Sequence, residues 1–266
     1  MVPMSAMTST PQPVSAPGNP SYAAETDASC RWPLFALFLG GAIWLLVASG
    51  FGMIASIKFH APGFLADDGL LTYGRVHPAA FNALVYGFCL PAGFGVGLWL
   101  MARLGQVRLL HPFLTFLGAI FWHVGVLVGL AGILEGDATG FPGLDMPRYA
   151  AVPMFAGSLL IALCAALTLY ERRERTLFPA QWFVFAGLLW FPWIYSSANL
   201  VLLFFPARGV VQSSVHWWYL NNLTVVWLSL MGLAATFYFV SKLTDRPLHS
   251  RYLALFTFWG FILLGS

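Results

Sequence analysis

Apolar residues run along this chain in seven long stretches, separated by short segments rich in Gly, Pro, Asp and Arg. The stretches cover about 33–57, 78–101, 112–134, 150–170, 181–205, 217–240 and 252–266. Crossing the hydrocarbon core takes about 20 apolar residues in a helix. Only helices and closed barrels pair every backbone polar group there, and runs of this length predict helices. The expected fold class is an all-α integral membrane protein of about seven transmembrane helices. The seventh stretch, Arg251 to Ser266, has 16 residues. That is about 24 Å of helix at 1.5 Å per residue, short of a core of about 30 Å. It reads as a helix cut short or completed by another subunit.

Residues 1–30 are rich in Pro, Ser, Ala and Thr and predict a disordered cytoplasmic leader. A secretory signal needs a basic start and an early apolar stretch, and neither is present. Nine basic residues (Arg31, Arg103, Arg108, Arg172, Arg173, Arg175, Lys242, Arg246, Arg251) fall on one side of the expected spans, and four (Lys58, Arg75, Arg148, Arg208) on the other. An excess of Lys and Arg marks cytoplasmic loops, so the N-terminus is expected in the cytoplasm.

Composition agrees with a membrane protein. Charged residues make up 9% of the chain, against about 25% in soluble domains. The net charge of +3 is scattered among loops, so no nucleic-acid footprint is expected. Cys30, Cys89 and Cys164 lie far apart with no CxxC or Cys/His spacing. Cys89 and Cys164 are expected to pack as small hydrophobes. Gly93, Gly95 and Gly97, with Gly125, Gly129 and Gly132, are expected to permit close helix packing. A nucleotide loop would need a preceding strand.

Two segments carry a family resemblance. Tyr73-Gly-Arg75-Val-His77-Pro78-Ala-Ala80-Phe-Asn82 leads the second span. Val215-His216-Trp217-Trp218-Tyr219-Leu-Asn221-Asn222 leads the sixth, followed by Tyr238-Phe239-Val240 and the loop from Arg246-Pro247 to Tyr252. Together they resemble the catalytic subunit I of haem-copper oxidases of the cbb type, over about the first half of a twelve-helix bundle. The resemblance implies the bacterial inner membrane and a respiratory chain. It also implies haem b and copper as cofactors, with other complex subunits or a c-type cytochrome as partners beside the lipid bilayer. In that family the subunit passes electrons from cytochrome c to oxygen.

The resemblance places a haem-ligating histidine at Ala80 and a copper-ligating one at Asn221, with the other ligands beyond Ser266. Imidazole suits both metals. Alanine has no lone pair to offer, and an asparagine oxygen is a poor copper donor. Haem is therefore implied only by family, and copper is not expected in this chain.

His77 is the candidate haem contact. It precedes Ala80 by three residues, about 300° around a helix, and so shares its face. There it could touch a haem edge or replace the lost ligand. The alternative is an interfacial histidine facing water. His123 lies deep in the third span, where ionisable groups are costly. It is expected to bond a neighbouring helix carbonyl, with a relay or ligand role as the alternative. His216 is expected at headgroup level, while His60, His111 and His249 fall in loops or span ends. Tyr86, Tyr195, Asn199, Asn221, Asn222 and Thr224 are expected to hydrogen-bond across helices. The functional alternatives are a diverged oxidase subunit, a non-catalytic scaffold and, more weakly, a transporter. A transporter commonly shows broken helices in matching halves, and none is visible.

Overall fold

A computed structural model describes residues 20–246 and 248–266, with side chains described from residue 23. Every regular element among them is helical. In order they are α1 (Pro20–His60), a 3-10 turn (Gly69–Leu71), α2 (Tyr73–Asn82), π1 (Ala83–Cys89), α3 (Leu90–Leu104), α4 (Pro112–Glu135), α5 (Arg148–Tyr170), α6 (Pro179–Asn199), π2 (Leu200–Phe204), α7 (Val210–Asn221), π3 (Asn222–Trp227), α8 (Leu228–Thr244) and α9 (Arg251–Gly265). π1 and π3 join neighbouring helices end to end and π2 extends α6, so the described residues form seven rods. Six of these are long and apolar enough to cross a membrane, and α9 is shorter.

The rods form an arc in chain order. α4 packs on α5, α5 on α6 and α6 on α8. α1 lies against α2, π1, α3 and α4, and α9 rests on π3 and α6. α3 sits at the centre, touching α1, α5, α6 and α8.

Two expectations about boundaries change. Residues 20–30, expected in a disordered leader, belong to α1, while residues 1–19 lie outside the described part. Tertiary partners account for the helix. Asp27 pairs with Arg103 at 3.0 Å and Glu25 with Arg108 at 2.9 Å. The buried Thr26 hydroxyl donates to the Val107 carbonyl, and the Ser29 hydroxyl accepts from the Leu109 amide. Contacts from the 105–111 loop thus order a segment whose composition alone predicts disorder. The second and sixth rods also start earlier than their apolar runs, at Tyr73 and Val210.

Lipid tails are as apolar as leucine, so packing and internal hydrogen bonds must hold such a bundle together. Both are concentrated in the interior. Phe94, Trp122, Phe191 and Trp227 are 0–1% exposed. They meet edge to face with ring centroids 5.1–6.1 Å apart. The indole of Trp122 donates to the Tyr86 carbonyl at 2.8 Å and that of Trp227 to the Gly187 carbonyl at 3.0 Å. At the α4–α5 crossing, Gly118 and Gly157 bring the backbones together. A methyl on Gly157 would fall 2.6 Å from the Gly118 oxygen. Glycines of the second and third rods show the same economy: Gly93 faces Trp227, and Gly125 and Gly129 face Met154 and Met146.

Candidate cofactor positions

The second rod begins on a pinned corner. Asp68 accepts from the Leu70 amide at 2.9 Å, setting the 3-10 turn. Arg75 then donates to the Gly69 and Leu134 carbonyls, both at 2.9 Å. The second of these contacts puts a cation on the last turn of α4, where the helix dipole favours it. With Arg75 held, the helix directs Val76, Ala79, Asn82 and Ala83 inward and fully buries Ala79 and Ala83. His77 and Phe81 are exposed, and Ala80 is half-buried.

These outward residues form one wall of a groove of about 450 Å³ between the first two rods. Tyr73, His77, Ala80, Phe81 and Leu84 line it from the second rod, and Ala48, Ser49, Gly52, Ala55, Ser56 and Phe59 from α1. The His77 ring stacks on Tyr73, with centroids 5.4 Å apart and planes at 28°. Three residues apart, His77 and Ala80 do share a face, and that face is this groove. Ala80 presents only a methyl to it.

Asn221 sits elsewhere. It is exposed, and its amide nitrogen donates to the Gly265 carbonyl of α9. Its neighbours Tyr219 and Asn222 turn inward. Tyr219 is fully buried, and Asn222 accepts from the Trp190 indole at 2.9 Å while donating to the Trp218 carbonyl of its own helix. Ala80 and Asn221 therefore open onto separate edges of the bundle, one against α1 and the other against α9. Asn221 lies directly before π3, and Ala80 lies three residues before the start of π1 at Ala83.

His123 meets a side-chain donor of α1 in addition to the Ala36 backbone of the same helix. Its Nδ1 accepts from the Trp44 indole at 3.2 Å, which assigns the proton to Nε2. That atom is buried without a hydrogen-bond partner, against Gly40, where a methyl would overlap the ring. His216, expected at headgroup level, is 7% exposed; its Nε2 donates to the Pro142 carbonyl at 2.8 Å. The loop 136–147 folds back over it.

That loop carries the residue the sequence reading missed. Asp145 is 7% exposed. Its Oδ2 accepts from the Asn82 amide at 2.6 Å and the Gly143 amide at 2.9 Å. Tyr86 donates to the Gly143 carbonyl and accepts from Tyr219, both at 2.6 Å. Side chains from the second and sixth rods thus clamp one loop. The available signals were Asn82 inside an apolar run and Pro142-Gly143 two residues before Asp145, where Gly143 takes φ +80°. Of the other polar span residues, Tyr195 reaches the Met154 sulfur across helices at 3.5 Å, whereas Asn199 and Thr224 bond their own helices.

The donor sets differ in what they fit. Copper is not matched at Asn221, which brings one amide oxygen. No group of three His, Cys, Asp or Glu side chains stands together among the described residues. At the groove one imidazole is present, that of His77, which would offer haem iron a single nitrogen donor.

The family described as cytochrome c and quinol oxidase polypeptide I matches residues 33–266. The chain is 26% identical over 242 residues to a cytochrome c oxidase subunit 1 homolog of Azorhizobium caulinodans, covering 87% of this chain and 42% of that one. It is 25% identical over 258 residues to cytochrome c oxidase subunit 1 of Rhodobacter capsulatus, covering 92% and 47%. It is 23% identical over 228 residues to the cbb3-type cytochrome c oxidase subunit CcoN1 of Stutzerimonas stutzeri, covering 83% and 48%. The chain spans about half the length of these curated relatives. On the match over all seven rods, the chain belongs to the cytochrome c and quinol oxidase polypeptide I family.

Proposed function

We propose that this chain is a membrane component of an oxidase-type assembly that does not by itself carry electrons to oxygen. Its contribution is the seven-rod framework together with one potential haem contact, His77. The observation that carries this reading is the pair of positions Ala80 and Asn221. The first puts a methyl into the groove, and the second spends its amide on an α9 carbonyl.

A haem bound in the groove would supply one-electron redox chemistry. His77 would offer it a ring nitrogen, and Tyr73, stacked on that ring, would hold the imidazole in place. The small residues Ala48, Gly52, Ala55 and Ser56 leave room on the α1 side. A second axial ligand would come from outside the described residues. The second reading is a metal-free scaffold, favoured by the methyl of Ala80 at the family's ligand position.

The end holding the α1 N-terminus is proposed to face the cytoplasm across a bacterial inner membrane, because nine of the 13 basic residues gather there. The opposite end, with the clamped 136–147 loop, would then face other subunits or a c-type cytochrome.

The test is a reduced-minus-oxidised visible spectrum of the purified chain. Soret and alpha bands that disappear in His77→Ala support the ligand. Equal haem content in the variant removes His77 from that role. A flat spectrum in the parent chain leaves the scaffold.

A further inference from the structure

The two ends of the bundle differ in charge. Nine Lys/Arg and five Asp/Glu residues lie at the α1 N-terminal end, against four and five at the other. At the basic end, a cavity of about 450 Å³ opens between the first turns of α1 and the 105–111 loop. Glu25, Thr26, Arg108, His111 and Arg173 are among the residues around it.

Its depth along the membrane normal follows from two helices. The apolar helix from Ala23 to His60 has 38 residues, about 57 Å at 1.5 Å per residue, so it overruns a hydrocarbon core of about 30 Å. α4 starts at Pro112, directly after His111, and its 24 residues make about 36 Å, close to the core itself. The cavity therefore lies at the level where a span gives way to headgroups.

Arg108 keeps capacity for a further acceptor. Its pairing with Glu25 engages Nε at 3.2 Å and Nη2 at 2.9 Å, out of five N–H donors on the guanidinium fork. Its side chain stays 68% exposed. Arg173, from the loop after α5, lines the same cavity, its backbone amide bonded to the Gly105 carbonyl. Guanidinium forks match phosphate oxygens in a bidentate manner. Basic pockets between membrane helices at headgroup depth are suited to anionic lipids.

We propose that this cavity binds the phosphate of an anionic phospholipid headgroup through Arg108 and Arg173, with Glu25 as a built-in competitor for Arg108. The lipid would bridge the start of α1 to the loops after α3 and α5. This inference is independent of the haem question.

The test uses the full chain purified in detergent, with lipid retention read by native mass spectrometry against phosphatidylglycerol and phosphatidylcholine. Phosphatidylglycerol is expected to be retained preferentially. Arg108→Gln should weaken its binding about fivefold, the effect of roughly one cation near a membrane surface. Glu25→Gln breaks the same ion pair but removes the competing carboxylate, and should strengthen binding. Because both variants loosen the α1 tether alike, a common weakening would reflect structure alone and overturn the proposal. Equal retention of phosphatidylcholine would overturn it too. So would thermal stabilisation by inorganic phosphate matching that by phosphatidylglycerol, which would assign the cavity to a free anion.

Discussion

The α4–α5 crossing and the α1–α2 groove are both lined by small residues, and the outcomes are opposite. At the crossing, Gly118 faces Gly157, and the two backbones touch. In the groove, Ala48, Gly52, Ala55 and Ser56 of α1 face Tyr73, His77, Phe81 and Leu84, and a methyl on Gly52 would meet nothing within 4 Å. A small residue gives close packing when the opposing helix presents another small residue or a side chain that fills the space. In the groove no side chain fills the space beside the small α1 residues, and the slot left there is lined by His77 and Ala80.

Substitutions should separate the two regions sharply. Gly157→Leu has to displace backbone atoms, since even its first carbon would sit 2.6 Å from the Gly118 oxygen and 2.8 Å from the Trp122 nitrogen. It is expected to cost more than about 4 kcal/mol and to abolish the monodisperse peak in size-exclusion chromatography. Trp122→Ala leaves a void among Phe94 and Phe191 and strands the Tyr86 carbonyl. The expected loss is about 3–5 kcal/mol, read as a lower thermal midpoint in detergent.

Trp44→Phe lies between the two regions, where α1 meets α4. It removes the donor to His123 Nδ1 and should cost about 1–3 kcal/mol for the unpaired nitrogen. Repeating it in a His123→Phe background should recover part of that loss, and strictly additive effects would show that the bond contributes nothing. Gly52→Ala projects into open space and is expected to stay within about 0.5 kcal/mol of the parent. Ala80→His likewise points into the groove. Its predicted effect is on the cofactor: more haem per chain, seen in the alpha band, at an unchanged thermal midpoint. A variant that folds normally and gains no haem would mean that the groove is not a haem site.

Much of this was legible in the residues. Seven apolar runs mark the seven rods, six of them long enough to cross lipid and α9 shorter. The Arg75-to-Asn82 and Trp217-to-Asn222 segments carried the family resemblance. The start of α1 was not legible. Pro20 to Cys30 looks unstructured by composition, and only the Asp27–Arg103 and Glu25–Arg108 pairs with the 105–111 loop order it. Asp145 was equally hidden, because its burial depends on Asn82, 63 residues earlier in the chain. His216 looked interfacial until the same loop covered it. The π segments left no local trace either, and the Tyr86 carbonyl in π1 finds its donor in Trp122 of another rod.

By itself the sequence determined where the long apolar helices run, which family they belong to, and that alanine and asparagine stand at positions 80 and 221 of the two motif segments. Those properties are local: length, apolarity and side-chain chemistry can be read one residue at a time. Tertiary structure alone decided that Ala80 and Asn221 open on different edges, that His77 and Ala80 share a groove with α1, and that Asp145 is drawn inward against Asn82. Each depends on which helix faces which, and that is settled by packing and hydrogen bonds between residues far apart in the chain.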